Sequence, residues 1–291
     1  MRQIIDLLSF AKVKGKKNYE IFFKVYDHLR NRPLDDECLS IGNEMYLILK
    51  KETGIEDLCR EIKDISNKAS LKLYPQLKSL VKNSKDNIKT ALKIAIAGNV
   101  IDVGVGINLK LKESVNQTMS QKIDKKYFFD FIELLYKANL ILFLADNAGE
   151  VVFDKVLLEE LKKISKNKIY YVVKDKPYLN DAMEEDAIYA GIDKIVEVIS
   201  NGSNYPGTQI ENCNETFLEK FSKANLIISK GYANYMSLKN TKAPIFFLLK
   251  AKCPKMQKEF HAIKDSMIFT KSKNFSLNYN KSILEFTPLI I

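Results

Sequence analysis

From about residue 138 onward, short apolar runs alternate with amphipathic stretches of helical spacing, and this rhythm constrains the fold more than any other feature of the chain. The runs cover 139–145, 168–174, 194–199, 224–229, 244–250 and 266–270, and helical stretches such as 151–163 and 216–223 lie between them. Runs of this length that are apolar throughout read as strands buried on both faces. Strand and helix in alternation imply an α/β protein with a mostly parallel sheet covered on both sides. The first half reads as helical. Apolar residues recur every three or four positions across 4–26, 45–50, 58–65, 71–81 and 86–97, with charged residues between them. Pro33 and the acids at 35–37 mark a break and a new helix start, Pro75 suits a helix's first turn, and Gly98 suits a helix stop.

At 291 residues the chain can bury a large core. No apolar run is long enough to span a bilayer, and the N-terminal residues lack the pattern of a secretory signal, so the cytoplasm is the expected location and no membrane partner is expected. Cys38, Cys59, Cys213 and Cys253 form no C-x-x-C pair, and His28 and His261 are the only histidines. Thiolate zinc and His-rich centres are therefore disfavoured, and a bound divalent ion would be a hard one with oxygen ligands. The net charge is +10. Its lysines are spread along the chain without a basic motif, which argues against nucleic acid and leaves a field that attracts phosphorylated anions.

In a sheet of this kind, ligands bind beyond the carboxyl ends of the strands. Asp146-Asn147-Ala148-Gly149-Glu150 follows the first run directly. A carboxylate and an amide oxygen there can coordinate a hard cation or simply cap the next helix. Asp181 opens an acidic helix start after the second run. Gly202, Ser203, Pro206, Gly207 and Thr208 make a turn-rich loop able to present N–H groups to phosphate, or a plain connection. Lys230, next to Gly231, ends the fourth run and suits an anion or a solvated surface. Earlier, Asn99 and Asp102 follow Gly98, and the glycines after Asp102 lack the strand-turn-helix setting of a dinucleotide fingerprint.

Together these segments resemble the damage-control metal phosphatases (domain of unknown function 89), and in particular their microbial branch. The segments are Gly98-Asn99-Val100-Ile101-Asp102, Asp146-Asn147-Ala148-Gly149-Glu150, Asn180-Asp181-Ala182, Gly202-Ser203 with Pro206-Gly207-Thr208, Ser229-Lys230-Gly231 with Asn234-Tyr235, and Lys252-Cys253-Pro254, in the family's order. The resemblance implies a helical N-terminal part, residues 1–135, packed on a Rossmann-like α/β/α domain, residues 136–291. It implies a divalent metal on Asp146, Asn147 and Asp181, a phosphate-contacting Lys230, and hydrolysis of small phosphorylated metabolites, either sugar phosphates or phosphates of damaged metabolites. The usual microbial start carries paired cysteines before an Arg-Gln. Here the sequence opens at Met1-Arg2-Gln3, so the pair is missing or the start is truncated. Tyr232 stands where a smaller or more polar residue is expected.

On this reading the metal is magnesium or manganese, with cobalt or nickel as further possibilities. It polarises the phosphoryl group, Lys230 neutralises an oxygen, and N–H groups around Gly202, Ser203 and Thr208 hold the others. The nucleophile is a metal-held water or Asp146 itself, Glu150 orients water or the leaving group, and Asn99 and Asp102 bind substrate or support the site. The rivals are a non-catalytic protein that binds a phosphorylated metabolite or nucleotide, and a methyltransferase. The single glycine after the first strand counts against the latter.

Overall fold

The structure is a computed structural model that describes residues 2–30, 32, 38–99, 107–164 and 168–277. Among the described residues, seven helices precede the first strand: α1 (Arg2–Phe10), α2 (Lys16–Arg30), α3 (Cys38–Thr53), α4 (Arg60–Lys82), α5 (Asn87–Gly98), α6 (Ile107–Ser120) and α7 (Lys125–Lys137). Alternation then begins, with β1 (Leu140–Leu144), α8 (Glu150–Ile164), β2 (Lys168–Val173), α9 (Glu184–Ala190) and β3 (Glu197–Ser200). It continues through α10 (Glu215–Lys223), β4 (Leu226–Lys230), α11 (Tyr232–Leu238), β5 (Ile245–Lys250), α12 (Pro254–Phe260) and β6 (Met267–Lys271).

The sheet order is β3-β2-β1-β4-β5-β6, parallel except for β6, which runs antiparallel against β5. The expected mostly parallel α/β sheet is therefore present. Its strands are apolar because both faces are covered. Helices α4–α9 and one face of the sheet share a core that includes Leu92, Phe131, Phe143, Phe153 and Phe246. Helices α10–α12 close the other face around Phe217, Tyr235, Phe247 and Met256. A separate cluster of Ile4, Leu8, Val25, Tyr46 and Leu49 holds α1–α3 together, and it reaches into the sheet half through Tyr178. The sheet order reverses between β1 and β4, and that switch point opens the crevice where ligands bind in such folds.

Several local expectations change. The helical run across 4–26 is two helices, because Lys12 (φ 54°) and Gly15 (φ 65°) turn the chain between α1 and α2. Pro75 lies well inside α4, not in a first turn. An interior proline costs about 3 kcal/mol, and buried Leu73, Leu77 and Val81 around it hold the helix continuous. Gly98 does end α5, with a packing reason: a Cβ there would lie 2.9 Å from the Phe153 ring of α8. Pro33, the acids at 35–37, Asp102 and its following glycines fall outside the described residues. Among the described residues, no helix is long and apolar enough to cross a membrane.

Candidate active site

β1 delivers Asp146 and Asn147 to the switch point, and the chain then turns through Gly149 (φ 81°) into α8. The segment after β2 returns alongside this turn. Ala182 donates its N–H to the Asp146 carbonyl at 2.8 Å, Ala148 donates to the Asn180 carbonyl at 2.8 Å, and Asn147 and Asp181 form an antiparallel bridge. Residues directly opposed in an antiparallel pair put their side chains on the same face. Asp181, 34 positions along the chain, is thus brought beside the Asp146–Asn147 corner. The backbone reaches it through strain, since Leu179 takes φ 46°.

Behind this corner lies a fully buried ionic cluster. Lys230, the last residue of β4, donates to Glu150 Oε2 at 2.9 Å and to Asp154 Oδ1 at 2.6 Å, and Tyr171 donates to Asp154 Oδ2 at 2.8 Å. Glu150 and Asp154 are one helical turn apart on α8, so both face the same lysine. The Asn99 amide donates to Asp146 Oδ2 at 2.8 Å and to Glu150 Oε1 at 2.9 Å, and the Asn147 amide does the same at 2.9 and 2.8 Å. Two amides thus separate two carboxylates that would otherwise repel. With its NH2 turned to these acids, Asn147 presents its oxygen on the opposite side. Gly231 is required next to Asp146, because a Cβ there would overlap the carboxylate.

The electrostatics follow burial and charge. Burial, with Glu150 and Asp181 nearby, holds the Asp146 carboxyl well above the usual range. Burial also raises Asp181 to about 6 despite Lys174 and Lys63, and raises Asp154 to about 6 against the pull of Lys230. Glu150 is pushed up by burial, but the charges of Lys230 and Lys252 outweigh this and leave it below its ordinary value. Burial works against the Lys230 charge, and Asp154 and Glu150 more than restore it. Asp146 and Asp181 therefore crowd negative charge at the open corner. A divalent cation relieves that crowding, and two carboxylates with one amide oxygen are the donor set a hard cation takes. Among the described residues, no group of three His, Cys, Asp or Glu has a metal-binding arrangement. The corner fits a cation through this mixed set.

The remaining candidates fall in varied places. Lys230 is buried, which removes the solvated-surface alternative. Glu150 is buried with both oxygens engaged, so it faces the cluster and not open solvent. Asn99 is buried too, and its oxygen accepts the Lys250 N–H at 3.2 Å. The loop holding Gly202, Ser203 and Thr208 ties itself down. The N–H groups of Gly202, Ser203, Tyr205 and Thr208 donate to Ser200, Asn201, Ser203 and Ser237 side chains. Those four are spent within the protein, as in the plain-connection reading of the loop. Gly202 is needed for φ 77° and for the Asn214 side chain, which a Cβ would meet at 2.6 Å.

Lysines given no role in the sequence reading complete the picture. Lys174 follows β2, is nearly buried, lies 3.8 Å from Asp181 Oδ2, and donates to the carbonyls of Tyr205, at 2.5 Å, and Gly207. Lys250 ends β5 fully buried, held by Ser114 Oγ at 3.0 Å and Gln117 at 3.4 Å, with no carboxylate in ion-pair range among the described residues; burial pushes its ammonium down. Lys252 is partly exposed and directs its charge at Asp146 and Glu150. One signal could have found Lys174 and Lys250: an apolar run that closes on a lysine, as β4 does at Lys230. A cleft of about 340 Å³ between α3 and the Tyr205–Glu211 stretch, lined in part by Ser40, Asn43, Gln209 and Ser237, includes none of the corner residues.

Comparison with known proteins agrees with this architecture. An uncharacterised protein of Methanocaldococcus jannaschii is 39% identical over 225 residues, 73% of either chain. Damage-control phosphatases of Pyrococcus horikoshii and Archaeoglobus fulgidus are 35% and 32% identical, covering 80% of either chain in the first case and 78% of this chain and 79% of the relative in the second. A crystal structure of a DUF89 family protein from Pyrococcus horikoshii superposes with a TM-score of 0.80 at 31% identity, over 94% of this chain and 95% of that one. The model of the damage-control phosphatase ARMT1-like domain matches residues 1–268, and the chain belongs to that family.

Proposed function

We propose that the protein is a metal-dependent phosphatase of small phosphorylated metabolites, such as sugar phosphates or phosphate esters of damaged metabolites. Asp146, Asn147 and Asp181 hold one divalent cation, magnesium or manganese by ligand chemistry, with cobalt or nickel as alternatives. The observation that carries this reading is the antiparallel bridge between Asn147 and Asp181, which turns both side chains to one face next to Asp146. A cation held there supplies Lewis acidity toward a phosphoryl oxygen.

The chain's own residues do the rest. Asn99 and Asn147 fix the Asp146 carboxylate through their N–H groups. Lys230 keeps Glu150 ionised, and Glu150 in turn orients both amides. Its task is to stiffen the corner, and any direct phosphate contact would use its third N–H. Lys252, partly exposed and close enough to act on Asp146 and Glu150, is the cation we assign to the phosphate oxygens. Positioning and charge are most of what phosphoryl transfer needs.

The test is hydrolysis of p-nitrophenyl phosphate and of a panel of sugar phosphates, with chelator and then with each of the four ions restored. The expected result is loss with chelator and recovery with a subset of ions. Hydrolysis indifferent to chelator rejects the metal assignment, and no hydrolysis with any ion rejects the enzymatic one.

A further inference from the structure

Helix α4 belongs to the helical half and contributes none of the corner's ligands, yet it carries a buried amide that touches both segments from which they come. Asn67 is 1% exposed. Its Oδ1 accepts the Gly149 N–H at 2.6 Å, and its Nδ2 donates to Asp186 Oδ1 at 2.7 Å. The amide's orientation is forced, since a backbone N–H only donates and an ionised carboxylate only accepts.

Each contact lies close to a proposed ligand. Gly149 closes the turn that presents Asp146 and Asn147. Asp186 sits in the first turn of α9, five residues after Asp181, and its Oδ2 accepts the Met183 N–H at 2.9 Å. Arg60, also on α4, reaches Asp186 at 3.1 Å and Glu185 at 2.8 Å, so it grips one of the two segments. Asn67 grips both, and the width of one planar amide then sets how far apart they stand.

We infer that Asn67 is a positioning residue for the divalent cation, holding the Asp146–Asn147 turn and the Asp181 segment at the separation at which their oxygens converge. This rests on the metal assignment above. Without the amide, the buried Gly149 N–H and the Asp186 carboxylate each lose a partner and the two segments are free to part. Loss of a group that orients metal ligands typically weakens metal affinity about 10- to 100-fold. By linkage, a cation that needs this separation must also tighten α4 against both segments.

The experiment is calorimetric titration of manganese chloride into the parent, Asn67→Ala and Asn67→Asp proteins, with each variant's folding checked by circular dichroism. The aspartate keeps the acceptor for Gly149 and sets a carboxylate against Asp186, so both variants are expected to bind about 10- to 100-fold more weakly. A residue that merely packs would lower the melting temperature and leave the affinity of the folded protein unchanged; parent-like affinity in both variants overturns the inference. Hydrogen exchange on the parent stands independently of variant folding. Manganese is expected to slow exchange in α4 around Asn67 together with Gly149 and the 183–186 turn, and unchanged exchange in α4 also overturns it. A parent that binds none of manganese, magnesium, cobalt and nickel ions instead refutes the metal assignment itself.

Discussion

Gly231→Ala is the sharpest probe of the corner, because the structure predicts two separable penalties for one methyl group. Gly231 has φ 80° and ψ 166°, a region essentially closed to residues with a Cβ and costing about 1–3 kcal/mol when one is forced into it. The backbone cannot rotate away cheaply, since the Gly231 N–H donates to the Leu248 carbonyl at 3.1 Å and so ties the end of β4 to β5. The second penalty is steric: the added Cβ overlaps the Asp146 carboxylate. That carboxylate must swing aside and give up the hydrogen bonds from Asn99 and Asn147 at 2.8 and 2.9 Å. Urea unfolding should show a loss of about 1–3 kcal/mol, and manganese titration a loss of affinity of about tenfold or more. Gly54→Ala is the control. Gly54 also has a positive φ, 72°, but a Cβ there meets nothing within 4 Å, so it should lose stability and keep its metal affinity. A Gly231→Ala protein that binds manganese like the Gly54→Ala control would refute the reasoning that ties this glycine to Asp146.

Two further outcomes follow from the buried cluster. Lys230→Met leaves Glu150 and Asp154 buried without their shared cation, which costs about 3–5 kcal/mol when one partner of a buried pair is removed; urea unfolding at pH 8 checks it, and a variant as stable as the parent contradicts the cluster's role. Asp154 carries a folded pKa of about 6 against an ordinary 3.8, so between those values the folded state holds more protons than the unfolded one. Its contribution is therefore fully present below pH 3.8 and is lost as pH rises through 6, by about 3 kcal/mol for a shift of about two units. Asp154→Asn should flatten the fall in stability between pH 4 and 7, and an unaltered profile would show that the aspartate does not titrate there.

The sheet was legible in the sequence because doubly covered strands are apolar without interruption, and the strand-end rule then pointed to Asp146, Asn147 and Lys230. Its limits are equally physical. β3 is shorter than the run 194–199 suggests, because Ile195 and Val196 fold back onto the Ile192 carbonyl after α9. Pro75 reads as a helix start in any local view, and only the packing of its neighbours makes it interior. Asp154 and Asn67 could not be singled out, since their partners lie 76 and 119 positions away and nothing nearby distinguishes them from ordinary helix residues. The loop at 200–208 stayed open to two readings in the sequence for a related reason. Hydroxyls and amides that look available for an anion in the sequence close onto their own backbone, as such side chains do in turns.

The net charge of +10 says little about function until it is separated by burial. Buried lysines are rare unless matched, and Lys63 is matched by Asp57 at 3.0 Å. Close to the corner stand Lys174, Lys230 and Lys252, with Lys250 behind Asn99, and the acids there are Asp146, Glu150, Asp154 and Asp181. On formal charge these four cations and four anions cancel. A divalent cation alone would leave the enclosure at two positive charges, and a phosphate monoester dianion alone at two negative, each opposed at low effective dielectric. Both together restore the balance. The two should therefore bind with positive coupling, of the usual 5- to 150-fold size for linked sites, roughly 1–3 kcal/mol. Titration of inorganic phosphate with and without saturating manganese measures it, and the same coupling must appear when manganese is titrated with and without phosphate. Independent binding of the two would mean that these lysines do not face the anion, and the charge arrangement would then serve the fold alone.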